Sequence, residues 1–88
     1  MLLNLHERVV SSLRGLPPKQ FRQVVNKMFE LMTNPRPHDS CDLVGSSYRR
    51  VDVGEYRICY QIVNEVVRVV IVGKRNDNEV YRLLKRLS

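Results

Sequence analysis

The stretch that decides the fold runs from Tyr48 to Val72 and reads YRRVDVGEYRICYQIVNEVVRVVIV. Its first part alternates polar and apolar residues with a period of two, which predicts β-strands. Gly54-Glu55 has the glycine first, as a type II′ hairpin turn requires, and Asn64-Glu65 predicts a second tight turn. The stretch therefore predicts a three-stranded antiparallel meander.

The residues before the meander predict a short strand and a first helix. Met1 to Leu5 is a brief apolar stretch that could form a stub of strand. Asn4 and Glu7 have the spacing of a capping box, and an apolar stripe at helical spacing follows. We expect the helix to end at Gly15 and the adjacent prolines. The residues of the stripe are Leu5, Val9, Leu13 and Leu16.

The second helix has the clearest helical pattern in the chain. Its predicted core stripe consists of Phe21, Val24, Val25, Met28, Phe29 and Met32. Charged and polar residues occupy the opposite side, as in an amphipathic helix that covers a core. Asn34-Pro35-Arg36-Pro37 should end the helix and open a loop that reaches about Ser47.

A strand-to-helix junction follows the meander. We interpret Gly73 as freeing the backbone, and Lys74 and Arg75 place two cations at the strand end. Tyr81 falls in the first turns of the next helix, so its ring should stay near Arg75. Cations beside an aromatic ring suit a phosphodiester and a base, which makes nucleic acid a candidate ligand.

The last helix should pack on the sheet through one apolar face. The residues of that face are Val80, Leu83, Leu84 and Leu87. Asn76 and Glu79 repeat the spacing of a capping box. Two helices, a meander and a closing helix make an α+β fold, with a helical hairpin packed on a small antiparallel sheet. The sheet face that the helices leave open should carry Arg50, Asp52, Arg57 and Gln61.

Size and composition limit the classes of protein. The chain has 88 residues, enough for one domain over 1–88, and a hydrophobic fraction of 43% argues against disorder. No apolar run is long enough to cross a bilayer and no cationic leader precedes a cleavage site, so we expect a cytoplasmic protein. Cys41 and Cys59 lack metal spacing, and His6 and His38 stand apart from other ligand types. We therefore expect no metal and no cofactor.

The charge is strongly positive. Fifteen Lys and Arg face nine Asp and Glu, which gives a net charge of +6. A small basic domain can bind nucleic acid, an anionic membrane or an acidic protein, or can simply be well solvated. Arginine is the main cation, and its planar group can grip a phosphate at two points.

A set of motifs resembles the toxins of the RelE/ParE superfamily. The set consists of Leu43-Val44-Gly45, Val53-Gly54-Glu55-Tyr56-Arg57, Tyr60, Gly73-Lys74-Arg75 and Val80-Tyr81. The resemblance covers nearly the whole chain, and only the first strand looks trimmed. The Gly-Lys-Arg junction and Glu79-Val80-Tyr81 are more similar to RelE than to ParE.

The resemblance implies a function and a partner. RelE-type toxins are endoribonucleases that cleave mRNA in the ribosomal A site without a metal, whereas ParE-type toxins inhibit DNA gyrase. In both branches a cognate antitoxin silences the toxin in a hetero-oligomeric complex. The expected partners are therefore the antitoxin, mRNA and ribosomal RNA, and no membrane. A gyrase inhibitor or a catalytically dead antitoxin-binding module remains an alternative.

The same resemblance implies a catalytic group. Arg57 would hold the scissile phosphate, Arg75 would act at the leaving oxygen, and Tyr81 would orient a nucleotide. Arg50 matches the first of two basic residues that RelE carries on this strand. Asp52 stands where the second should be. It would act as a general base kept ionised by an arginine, or only pair with Arg50 or Arg57 across the strands.

Four further cations are candidates for contact with RNA. Lys74 would be solvated or would contact the ribosomal RNA backbone. Arg82, Lys85 and Arg86 would complement the dipole of the last helix or form a landing patch for ribosomal RNA.

Overall fold

The computed structural model describes residues 1–76 and 79–87. Its elements follow the order β1 (Leu2–Leu5), α1 (Glu7–Arg14), α2 (Pro18–Thr33), β2 (Ser40–Asp42), β3 (Arg49–Val53), β4 (Tyr56–Val63), β5 (Val66–Lys74) and α3 (Glu79–Leu87). The fold is α+β, as expected. Among the residues described, no helix has both the length and the apolar composition required to cross a bilayer.

The strands form one five-stranded sheet in the order β1-β5-β4-β3-β2. The predicted meander forms its centre, with β4 antiparallel to both β3 and β5. The apolar N-terminal stretch is a strand, and it pairs with β5 in parallel, with Leu2 opposite Val66. The predicted loop up to Ser47 also contains a strand, because Ser40–Asp42 pairs with β3. The sheet is therefore larger than the meander and not wholly antiparallel.

Both hairpin turns lie where the sequence places them. Gly54 has φ +58° at the first turn position, and Glu55 does not have a positive φ, as a type II′ turn requires. Asn64 and Glu65 have φ +49° and +64°, so both central residues of the second turn are left-handed, as in a type I′ turn.

α1 and α2 cover one face of the sheet. Val9 and Leu13 of α1 are buried, which agrees with the predicted stripe. The capping box is wrong, because His6 is the N-cap and its side chain accepts a hydrogen bond from the Arg8 N–H at 3.1 Å. Asn4 is unavailable for capping, since it lies within β1 opposite Arg68.

The predicted stripe of α2 is rotated from the one that the structure buries. The fully buried residues are Val24, Met28 and Leu31, whereas the side chains of Phe21 and Phe29 are 41% and 55% exposed. The buried stripe on α2 is narrow, because the helix packs on one face of the sheet, against β1 and β3. The prediction omitted Leu31, which is in the core, and included Phe21 and Phe29, which are not.

α3 packs on the opposite face of the sheet. Val80 and Leu84 form a second core cluster with Cys59, Val70 and Ile71. Leu83 packs against that cluster, as predicted. The predicted burial of Leu87 and the capping box of Asn76 with Glu79 depend on side chains outside the described part of the chain.

A β-bulge makes this second core possible. Cys59 pairs with Ile71, but Tyr60 pairs with Val69, so Val70 is an extra residue on β5. Val70 and Ile71 consequently contact the same cluster although they are adjacent in the chain. Beyond the bulge the alternation is shifted by one residue, and Gly73 shares a face with its partner Arg57.

Candidate active site

Three guanidinium groups surround the Asp52 carboxylate on the sheet face that carries α3. Arg57 binds it with two nitrogens, Nε to Oδ1 at 2.7 Å and Nη2 to Oδ2 at 3.3 Å. The Nη1 atoms of Arg50 and Arg75 lie 3.7 and 3.9 Å from Oδ2. Three cations thus meet one anion, which leaves the cluster with a net positive charge.

The sheet register explains how these residues meet. Asp52 of β3 lies directly opposite Arg57 of β4, and Arg50 lies two residues earlier on the same face. Arg75 follows the end of β5, and its backbone N–H donates to the Glu55 carbonyl at 2.9 Å. The shift at the bulge puts Arg75 on the side of Asp52. Strict alternation from the buried Val67 and Val69 would turn it toward α1 and α2.

Tyr81 completes the group from α3. Nη1 of Arg57 donates to the Tyr81 hydroxyl, and the guanidinium carbon lies 5.6 Å from the ring centroid. This combines a hydrogen bond with a cation–π contact on one arginine. Arg57 is therefore fixed from both sides, by the Asp52 carboxylate and by the Tyr81 ring.

Gly73 is needed for the position of Tyr81, but not for the reason that the sequence suggested. Its φ lies outside the left-handed region, so the backbone conformation does not itself require glycine. A Cβ at this position would lie 2.9 Å from Cγ2 of Val80, closer than real contacts allow. The glycine therefore lets α3 approach β5 and carries Tyr81 to Arg57.

The electrostatics of the cluster follow from this geometry. The hydrogen bond from Arg57, with the positive charge of Arg57, Arg50 and Arg75, lowers the pKa of Asp52, although burial acts in the opposite direction. The same hydrogen bond raises the pKa of Arg57. Asp52 is thus a stable carboxylate and Arg57 a stable cation at neutral pH.

Comparison with known proteins identifies the family. The family model for the ParE toxin of the type II toxin–antitoxin system parDE matches residues 3–79. A curated relative, the putative toxin RelE1 of Methanocaldococcus jannaschii, is 31% identical over 81 residues, which is 88% of this chain and 89% of the relative. The chain belongs to the RelE/ParE toxin superfamily.

Solved structures of RelE agree with this assignment. The isolated E. coli RelE toxin has a TM-score of 0.75 and 29% identity to this toxin, with 99% and 98% of the two chains covered. A free E. coli RelE variant with two arginines changed to alanine has a TM-score of 0.80, 30% identity and coverage of 99% and 97%. RelE in the RelE–RelB complex of Pyrococcus horikoshii, at 24% identity and TM-score 0.76, covers 84% of this chain and 93% of its own and shares the fold. This chain is therefore a type II toxin of the RelE/ParE family.

The four cations that were predicted to contact RNA lie outside the arginine cluster of Arg50, Arg57 and Arg75 around Asp52. Lys74 is exposed at the end of β5, and Arg82, Lys85 and Arg86 are exposed on α3. Lys85 and Arg86 lie in the last turn of the helix, where cations complement its dipole. Their contact with RNA stays a prediction.

Two side chains near the site have structural roles. Cys59 is fully buried, and burial raises the pKa of its thiol to about 12, so this side chain belongs to the core. Arg49 turns to the other face and pairs with Asp42 and Ser40. In the described part of the chain, no group of three His, Cys, Asp or Glu side chains is arranged to hold a metal ion.

Sequence reasoning did not assign a functional role to Tyr48. The side chain lines a cleft with Tyr81 and the loop of residues 43–46. Strand alternation could have indicated that Tyr48 lies on the face of the site, because Tyr48, Arg50 and Asp52 are spaced two residues apart.

Proposed function

We propose that this toxin is a ribosome-dependent endoribonuclease that cleaves mRNA in the A site and so inhibits translation in the cytoplasm. The observation that carries the proposal is the meeting of Arg50, Arg57 and Arg75 at Asp52, with Tyr81 on Arg57. A positively charged cluster beside an aromatic ring suits a phosphodiester with its base. The 29–31% identity to RelE proteins supports the same activity.

The proposed reaction uses the RNA's own 2′-hydroxyl. Its oxygen attacks phosphorus while the bond to the 5′-oxygen breaks, which leaves a 2′,3′-cyclic phosphate and a 5′-hydroxyl. The 2′-hydroxyl proton passes to solvent, and the 5′-oxygen takes up a proton. Negative charge builds on the phosphate oxygens in the transition state, and fixed guanidinium groups stabilise that charge without a metal ion.

Each arginine has a distinct place in this proposal. Arg57 and Arg50 hold the non-bridging phosphate oxygens, since both approach the cluster from the sheet. Arg75 enters from the end of β5 and clamps the leaving 5′-oxygen. It acts by charge and hydrogen bonding, because a guanidinium holds its proton too tightly to be an efficient acid. Tyr81 stacks on a nucleotide next to the scissile bond.

Asp52 acts in this proposal as a positioning residue. Both of its oxygens contact Arg57, and its pKa is lowered. A carboxylate whose pKa lies below the ordinary range is a poor general base near neutral pH, where the best base has a pKa near the working pH. We therefore assign Asp52 to holding Arg57 in the orientation that binds phosphate.

Because the Asp52 carboxylate is a poor general base, the toxin would need the ribosome for cleavage. Without a strong proton acceptor, rate enhancement must come from charge stabilisation and from alignment of the attacking oxygen with the leaving oxygen. A free RNA chain samples many geometries, whereas mRNA in the A site is held in one. The ribosome would thus supply the alignment and the toxin the positive charge.

The partner that silences the toxin would be a cognate antitoxin. Solved relatives include RelE bound to RelB from E. coli and P. horikoshii. This chain leaves Phe21 and Phe29 exposed on α2 and has a net charge of +6. An acidic partner with an amphipathic segment fits both features. We expect the product of an adjacent short reading frame to co-purify with the toxin and to relieve its growth arrest.

The activity is tested by mapping cuts in a translated message after expression of the toxin. Primer extension should reveal cuts inside codons that disappear when translation of the message is blocked. Arg57→Ala and Arg75→Ala should each lower cleavage by about tenfold or more, as removal of an electrostatic stabiliser does. Arg22→Ala, which removes an exposed arginine of α2, is the charge-matched control and should cleave normally. Full cleavage by both site variants would reject the site.

The second candidate is a toxin that inhibits DNA gyrase without cutting RNA. The matching family model carries the ParE description, which favours this candidate. A supercoiling assay with purified gyrase separates the two functions. Inhibition of supercoiling with no mRNA cleavage would favour the second, and inactivity in both assays would indicate a module that only binds an antitoxin.

A further inference from the structure

The cleft lined by Tyr48 and Tyr81 adjoins the arginine cluster on the same face of the toxin. It has a volume of about 370 Å³, within the range of small-ligand sites. The loop of residues 43–46 forms one wall, and α3 forms the other. Its side chains include Leu43, Val44, Tyr48, Tyr81, Leu84 and Lys85.

The loop wall is held in shape by its own hydrogen bonds. The Leu43 N–H donates to the Tyr48 carbonyl at 2.9 Å, and the Ser46 N–H donates to the Leu43 carbonyl at 3.1 Å. The Ser46 hydroxyl accepts from the Tyr48 N–H at 3.2 Å and donates to the Leu43 carbonyl at 3.0 Å. The cleft is therefore preformed, which reduces the entropy lost when a ligand binds.

The cleft and the arginine cluster share a residue. Tyr81 contacts Arg57 through its hydroxyl and ring, and it also lines the cleft. On the sheet, Tyr48 lies four residues before Asp52 on the same face, about 13 Å along the strand. A nucleotide whose phosphate sits at the arginines can therefore place a neighbouring base between Tyr48 and Tyr81.

We propose that Tyr48 forms a second aromatic wall, across the cleft, for the base that stacks on Tyr81 next to the scissile phosphate. The inference rests on the proposed nuclease function and adds Tyr48 to its nucleotide-binding residues. Two tyrosine rings and the apolar Leu43 and Leu84 suit a flat base, and Lys85 places a cation at the edge for the backbone. Tyr48 would set affinity and base preference without touching the reacting atoms.

Binding is tested with a trinucleotide that carries a 2′-deoxy sugar at the attacking position, so that it cannot be cleaved. The fluorescent base 2-aminopurine replaces each base in turn, and stacking on an aromatic ring quenches its emission. We expect strong quenching at one position beside the scissile phosphate. Wild type and Tyr48→Phe should quench alike, whereas Tyr48→Leu, which keeps apolar packing and removes the ring, should quench less, because only the Tyr81 ring then remains beside the base.

The kinetic consequence is measured on translating ribosomes. Tyr48→Leu should raise KM for codon cleavage by about tenfold and leave kcat nearly unchanged, since stacking contributes to binding. Arg22→Ala, at an exposed residue of α2 outside the cleft and the arginine cluster, is the control and should match wild type. Quenching that is equal in wild type and Tyr48→Leu would overturn the base subsite, even with cleavage intact. Absence of codon cuts by wild type would instead reject the nuclease function.

Discussion

Asp52 is the residue on which the arginine cluster depends. Its carboxylate lies within 4 Å of three guanidinium groups, and its side chain is only 29% exposed. Without that negative charge the three cations would repel one another in a partly desolvated site. The hydrogen bond from Arg57 and the three positive charges lower the pKa of Asp52, which links the stability of the toxin to pH.

The stability of the Asp52→Asn variant should therefore depend less on pH than that of the wild type. Because the pKa of Asp52 is lower in the folded state, its stabilisation is present above the unfolded pKa of about 4 and is lost as the pH falls through the folded pKa. We expect Asp52→Asn to have a lower Tm than wild type at pH 7, with the difference shrinking below about pH 4. Circular dichroism melts between about pH 2 and pH 8 measure it, and a difference independent of pH would contradict the pairing.

The same variant separates the two roles considered for Asp52. A positioning residue changes the rate of cleavage but leaves the shape of its pH profile unchanged, whereas loss of a general base removes the acidic limb. We expect a lower rate and an unchanged shape. Asp42→Asn, which removes a carboxylate bound by Arg49 on the other face, is the control.

At the scale of elements, the contact between β5 and α3 decides where the site forms. The bulge at Val70 turns Gly73 and Arg75 to the face of Asp52, and the missing side chain at Gly73 lets Val80 approach. Tyr81, one residue after Val80, then reaches Arg57. A small change in the distance between α3 and β5 should consequently separate the ring from the guanidinium.

Gly73→Ala tests this contact. Its Cβ would overlap Val80, so we expect a loss of stability of about 1–3 kcal/mol and a fall in cleavage as Tyr81 moves away from Arg57. Thermal melts and codon cleavage measure the two effects. Gly15→Ala is the matched control, since its Cβ would make only an ordinary contact of 3.6 Å and its φ of −86° suits alanine.

A double variant identifies the cause of that loss. Val80→Ala removes the atom that the new Cβ would meet, so Gly73→Ala should destabilise the Val80→Ala background less than the wild type. Equal losses in both backgrounds would show that crowding of Val80 is not the reason for the glycine.

The turn between β4 and β5 carries strain that can be removed. Glu65 has φ +64°, a left-handed conformation that is unfavourable for a residue with a side chain. Glu65→Gly should stabilise the toxin by about 0.5–1 kcal/mol, the relief of strain less the added backbone entropy. Glu55→Gly, at the equivalent position of the turn where φ is not positive, should give no gain. Thermal melts distinguish them, and equal shifts would argue against strain at Glu65.

At the scale of the whole molecule, the two faces of the sheet carry different structures. α1 and α2 cover one side of the sheet, and the arginine cluster, the cleft and α3 occupy the other. The exposed Arg82 and Arg86 of α3 add positive charge to the second side. This side should therefore meet an anionic backbone such as ribosomal RNA.

The salt dependence of RNA binding tests that orientation. We expect Arg82→Ala and Arg86→Ala each to reduce the slope of log affinity against log salt by about one, because each phosphate contact releases counterions. Lys19→Ala on α2 should leave the slope unchanged. Anisotropy of a labelled RNA from about 50 to about 300 mM KCl gives the slopes, and identical slopes in all variants would place RNA on another surface.

The sequence by itself determined the local structure. Alternation and turn residues predicted β3, β4, β5 and both turns, because these patterns depend on neighbours within a few residues. The helices followed from their apolar spacing, and the motif set from Leu43 to Tyr81 predicted the superfamily. Strand alternation and the resemblance also predicted that Arg50 and Arg57 lie near Asp52, whereas only the resemblance grouped Arg75 with them.

Only the tertiary structure decided the features that depend on distant partners. The pairing of β1 and β2, the rotation of the α2 stripe away from Phe21 and Phe29, and the capping by His6 all depend on what packs against each segment. The bulge at Val70 is set by pairing across β4 and β5, and it alone brings Arg75 to Asp52. Gly73 is likewise explained by Val80 of another element, because steric contact between elements has no local pattern in the sequence.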